Sequence, residues 1–157
     1  MLFRSEFNGV AHMLEHMAFK GTTSRSARDI AEQIEAVGGS MNAHTSREQT
    51  AYFVKVLKDD LPLAVDILAD ILLRSTYEAS ELQRERTVIL QELGQAEDTP
   101  DDIIFDHFQE AAFPRQALGR PVLGKAEIIE QLPREALVDF RLRHYRSEEH
   151  TSELQSH

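Results

Sequence analysis

The chain has 157 residues, 41% hydrophobic and 28% charged, which is the composition of an ordinary globular protein and enough length for one domain or part of one. Its formal net charge of −10 argues against nucleic acid and anionic membrane surfaces as partners and suits basic peptides. Cysteine is absent, so disulfides and thiolate ligands are excluded, and any metal site must use His and carboxylate, a set that suits catalytic zinc.

From Gly9 to Phe19 the apolar residues Val10, Met13, Leu14 and Met17 recur at helical spacing, and Gly21 closes the helix. A second helix is predicted from Ser26 to Val37, with Ile30, Ile34 and Val37 inward and Gly38-Gly39 as its stop. Two strands follow, Ser40 to His44 and Thr50 to Leu57, the latter alternating in character from Tyr52 to Val56. Leu61 to Leu73 is a strongly apolar helix expected to pack on the sheet, and a long helix runs from Glu78 or Ala79 to Glu97. Beyond Pro100 the pattern gives a helix from Asp101 to Ala112, a loop from Pro114 to Gly124, and short helices at Lys125 to Gln131 and Pro133 to Tyr145. Helices with an antiparallel hairpin make an α+β layer structure. No run approaches the length of a membrane-spanning helix, and the start does not read as a signal peptide.

Both ends read as foreign. Residues 146–157 lack apolar periodicity and, with Leu2-Phe3-Arg4-Ser5, resemble translated sequencing adapters, an ordinary polar tail being the alternative. On the adapter reading, 1–6 and 146–157 are non-native and 7–145 is the authentic segment, truncated at both ends.

The chemistry concentrates in His12-Met13-Leu14-Glu15-His16. On a helix, His12 and His16 lie on one face a single turn apart, so both rings can reach one metal ion, with Glu15 beside them as a candidate base. The order H-x-x-E-H inverts the common H-E-x-x-H zinc signature and needs a third ligand. Glu85 and Glu92, two turns apart on the long helix, share a face, so one can bind metal while the other supports the site; a solvated acidic face is the alternative. Asp102 and Asp106 likewise share a helical face. Met13, Met17 and Phe19 read as core, and His44 and His107 as surface residues.

The segment Asn8 to Thr22 is similar to the signature of the pitrilysin-type (M16) metallopeptidases. The resemblance continues through Glu85-Arg86 to Glu92, Gly38 to Ala43, Thr50-Ala51-Tyr52 and Leu118 to Gly124, and points to the bacterial and mitochondrial processing-peptidase branch. In that family a Glu about 76 residues after the second His is the third zinc ligand, and Glu92 stands at that distance from His16. The resemblance implies a LuxS/metallopeptidase-like half-domain with an antiparallel or mixed sheet packed against several helices. It implies one Zn²⁺ on His12, His16 and Glu92, Glu15 as general base, and Glu85 orienting a histidine from behind the ligands. It further implies peptide binding by strand addition at Asn42 and Ala43. Asp102 and Asp106 would hold a substrate arginine, although the family commonly has Glu at the first of these positions. The expected partners are a peptide substrate and a second homologous M16 domain or subunit, and the expected compartment is a bacterial cytoplasm or periplasm. The implied activity is that of a zinc endopeptidase acting on peptides or presequences. The alternatives are a non-catalytic partner subunit and a truncated piece inactive alone.

Overall fold

The computed structural model describes residues 7–145; the adapter-like ends at 1–6 and 146–157 lie outside the described residues. Helix α1 (Val10–Ala18) buries Val10, Met13, Leu14 and Met17, the stripe that its spacing dictates. Its N-terminus is clamped by close backbone approach rather than by a side-chain cap. Gly9 has φ 94°, and a Cβ there would stand 2.6 Å from Ile129 Cδ1 and 2.7 Å from the Leu123 carbonyl. Gly124, at φ 85°, faces it, and its Cβ would meet the Asn8 carbonyl at 2.5 Å.

Helix α2 (Ala27–Ala36) opens with a capping box. Asp29 N–H donates to Ser26 Oγ, and Ser26 N–H donates back to the Asp29 carboxylate. Strands β1 (Ser40–Thr45) and β2 (Thr50–Lys55) form an antiparallel hairpin with Ser40 opposite Lys55 and Thr45 opposite Thr50. Strand β2 ends at Lys55 rather than at the predicted Leu57. Pairing runs out where β1 begins, and Leu57 instead leads into a 3₁₀ turn at Lys58–Asp60. One hairpin face carries Met41, Tyr52 and Val54 onto Ile30 and Ile34 of α2 and onto Ile67 and Ile71 of α3 (Leu61–Leu73), so α3 packs on the sheet as its apolar run requires.

Helix α4 (Ala79–Glu97) lies against α1, and α5 (Pro100–Ala112) folds back on it. Pro100 occupies the first turn of α5 rather than preceding it, where its missing N–H costs nothing. Helices α6 (Ala126–Gln131) and α7 (Arg134–His144) close the main core. There Val10, Met13, Leu14 and Met17 meet Tyr77, Leu82, Ile89, Ile129, Leu132 and Leu137. Among the described residues the sheet has two strands, and no helix is long and apolar enough to cross a membrane.

One polar group sits inside this packing. Asp70 on α3 has no exposed surface and accepts from Thr22 Oγ1 (2.8 Å), Ser24 Oγ (2.7 Å), Arg25 Nη1 (2.8 Å) and Arg74 Nε (2.6 Å). Burial disfavours its charge, but Arg74, Arg25, Ser24 and Thr22 outweigh that and hold it well below the usual carboxylate range. The turn after α1 is thereby pinned to α3.

Candidate metal centre

Helix α1 is wedged between α4, α7 and the hairpin, which fixes the direction in which its polar stripe points. His12 and His16 share that stripe; their ring centroids are 4.6 Å apart, and His12 Nε2 lies 3.2 Å from His16 Nε2. Ile89 on α4 is buried in the core one turn before Glu92, and this contact brings the Glu92 carboxylate over the rings. Glu92 Oε2 is 3.8 Å from His12 Nε2 and 3.6 Å from His16 Nε2. Among the described residues these three are the group of His and acidic side chains able to share one ion, their ligand atoms all within 4.8 Å of one another.

The triangle has the size a small tetrahedral cation needs. Two donors each about 2.0–2.1 Å from a zinc ion stand about 3.3 Å apart. The observed separations of 3.2, 3.6 and 3.8 Å need only small side-chain rotations to reach that value. The donors are also in the right electronic form. Burial first, and the neighbouring His16 second, push His12 down to about 4, so its imidazole is neutral at neutral pH with a lone pair to give.

Glu85, 5% exposed on α4, lies behind the rings. Its Oε2 is 3.0 Å from His16 Nδ1 and its Oε1 is 2.7 Å from Lys20 Nζ. Burial opposes its charge, but Lys20 and His16 prevail and the carboxyl is held below its ordinary range. A carboxylate accepting at Nδ1 puts the ring proton there and leaves Nε2 to face the cluster.

Glu15 is partly buried beside His16, and its Oε2 is enclosed without a hydrogen-bond partner among the described residues. An enclosed carboxylate oxygen with no donor is costly, and such groups collect where chemistry is done. Its charge also reaches the phenols of Tyr52 and Tyr145, whose hydroxyls are 3.4 Å apart; both titrate above the usual range, first through burial and in smaller part through Glu15.

The remaining site candidates fall elsewhere. Asn42 is exposed on β1, where its Oδ1 accepts from the Ala43 N–H at 2.8 Å; Ala43 is buried opposite Tyr52. Asp102 is exposed, and Asp106 is engaged by Arg47 from the hairpin turn. Arg47 also donates to the carbonyls of Leu118 and Arg120. Neither Asp belongs to the His–Glu cluster, and His44 and His107 are exposed. Sequence reasoning missed Lys20 and Arg47. Lys20 had a signal, since it continues the four-residue step from His12 to His16; Arg47 had none, because its partners lie 59 to 73 residues away.

Residues 4–126 match the family described as Insulinase (Peptidase family M16). The chain belongs to peptidase family M16. It is 48% identical over 139 residues to the mitochondrial-processing peptidase subunit beta of Homo sapiens, covering 88% of this chain and 28% of that protein. It is 43% identical over 140 residues to an uncharacterized zinc protease of Rickettsia bellii, covering 89% of this chain and 34% of the relative. The M16 chain therefore spans about a third of these proteins or less. Its fold superposes on a Helicobacter pylori protease with a TM-score of 0.84 at 24% identity, over 90% of this chain and 34% of that one. Pitrilysin gives 0.78 at 31% identity, over 90% and 16%. An M16 domain from Pseudomonas fluorescens described as inactive gives 0.79 at 18%, over 87% and 34%.

Proposed function

We propose that this M16 chain carries the zinc-binding and proton-transfer groups of an endopeptidase that hydrolyses peptides or presequences. The observation behind the reading is the convergence of His12 Nε2, His16 Nε2 and Glu92 Oε2 within 4.8 Å, with Glu15 next to His16 in the chain and its Oε2 enclosed without a partner among the described residues. Zinc on these three residues would polarise a peptide carbonyl and make a bound water acidic enough to attack near neutral pH. Glu15 takes the proton from the attacking water and delivers it to the leaving amine, a shuttle suited to a carboxylate with a free oxygen. Glu85 keeps the His16 proton on Nδ1 throughout. The extended substrate adds beside β1 near Asn42 and Ala43, where main-chain hydrogen bonds supply affinity with little sequence selectivity.

The share of the relatives that the chain covers, and the human relative's name as a subunit, support a second homologous M16 domain or subunit completing the substrate chamber. The fold by itself does not carry activity, since it is shared with the Pseudomonas domain described as inactive. What favours catalysis over a non-catalytic subunit is the intact set of Glu15, His12, His16 and Glu92. Glu15→Gln, assayed together with the second M16 domain or subunit, is expected to retain zinc and to lose peptide hydrolysis by at least about 100-fold. Hydrolysis surviving at the parent rate would remove Glu15 from the mechanism.

A further inference from the structure

The ion pair between Lys20 and Glu85 differs from the surface pairs of this chain. In Arg28–Glu32 the side chains are 83% and 56% exposed, and such pairs contribute little. In Lys20–Glu85 they are 32% and 7% exposed, so the contact is partly desolvated and charge-assisted. Lys20 follows Phe19, the C-cap of α1, and its N–H donates to the Met17 carbonyl, which carries the helical turn on to Lys20 and, with the four-residue step, sets the stem on the same side as His12 and His16. The two oxygens of Glu85 are thus divided: Oε1 goes to Lys20 Nζ at 2.7 Å and Oε2 to His16 Nδ1 at 3.0 Å. A carboxylate held at one oxygen can still swing about its terminal torsion, which is broad and shallow. Held at both, it has one orientation.

We propose that Lys20 is a positioning residue of the metal centre: by anchoring Oε1 of Glu85 it turns Oε2 onto His16 Nδ1, holds the ring proton there, and aims the His16 Nε2 lone pair at His12 and Glu92. The inference rests on the zinc reading above and adds a third link to it. Without Lys20, Glu85 loses its second tether, and His16 samples the tautomer that presents N–H rather than a lone pair to the ion. Arg at this position keeps a charged donor; Met does not.

The test compares the unmodified chain with Lys20→Met, Lys20→Arg, Glu85→Gln and the Lys20→Met/Glu85→Gln double variant. Zinc affinity is measured by chelator competition, and imidazole ¹⁵N shifts are measured on the metal-free chain. Lys20→Met is expected to weaken zinc about tenfold, the lower end of what losing a group behind the ligands costs. Lys20→Arg should recover most of that loss. On the Glu85→Gln background Lys20→Met should change affinity by less than about twofold, because Lys20 acts through Glu85. Metal-free His16 should carry its proton on Nδ1 in the unmodified chain and divide between tautomers in Lys20→Met. Undiminished affinity in Lys20→Met, or an equal loss with and without Glu85, overturns the proposal. So does an Nε2 proton on His16 of the unmodified chain, an observation that needs no variant to fold. Failure of the unmodified chain to bind zinc overturns the metal reading instead, and the His16 tautomer still decides the part played by Lys20.

Discussion

His12 is held where its charged form is disfavoured, by burial and by His16, and this ties the proposed metal centre to folding stability. The unfolded ring titrates near 6.5 and the folded one near 4, so between those values the unfolded chain binds more protons. The contribution of neutral His12 is therefore complete above about 6.5 and is lost as the pH falls through about 4, with a ceiling of about 3 kcal/mol for a shift of this size. Urea unfolding of the metal-free chain across pH 7 to 4 should show this decline, and His12→Gln should flatten it. An unchanged slope in the variant would place the acid sensitivity elsewhere. The sequence carried the pairing of His12 with His16 openly, since a four-residue step on a helix fixes two side chains to one face. It could not say that Lys20 answers Glu85, because the spacing within α1 does not reveal which face of α4 meets it.

Most helix limits were legible because local chemistry sets them, whereas β2 stops two residues short of the expected Leu57, where its partner strand begins. The helix expected from Ser26 does begin there, on a Ser26–Asp29 capping box, and the apolar run from Leu61 makes α3; Pro100, read as an interruption, is instead the first residue of α5. Contacts between elements were not legible. Asp70 reads as one of two acids in an apolar helix, yet it joins α3 to the turn after α1 through the Arg25 guanidinium and the Thr22 and Ser24 hydroxyls, with Arg74 at the end of α3 as a further donor. Asp70→Asn leaves Arg25 and Arg74 without their buried anion, and a loss of about 3–5 kcal/mol is expected in denaturant unfolding. A loss below about 1 kcal/mol would mean the network is dispensable. Arg47, in the hairpin turn, is a second clamp between elements. The sequence offered Asp106 to a substrate arginine, whereas the folded chain already sets its own guanidinium there. Arg47→Ala should speed amide exchange in residues 113–124 while leaving β1 and β2 protected, since it releases the Leu118 and Arg120 carbonyls but no ladder bond. Unaltered exchange in that loop would deny Arg47 its clamping role.

The molecule brings His12, His16 and Glu92 together where α1 packs on α4, and the hairpin packs against the same helix α1. This arrangement is encoded in 7–145, whereas the M16 relatives compared above are about three times longer or more. Metal binding is thus the property that the 157-residue chain itself is expected to show, ahead of any activity that needs a second domain. Zinc content after dialysis against a zinc buffer, compared between the parent chain and Glu92→Gln, tests it directly. One zinc per parent chain, and a content well below one in Glu92→Gln, is the predicted result. A parent chain without zinc, or equal zinc in both, would contradict the assignment of His12, His16 and Glu92 to a single ion.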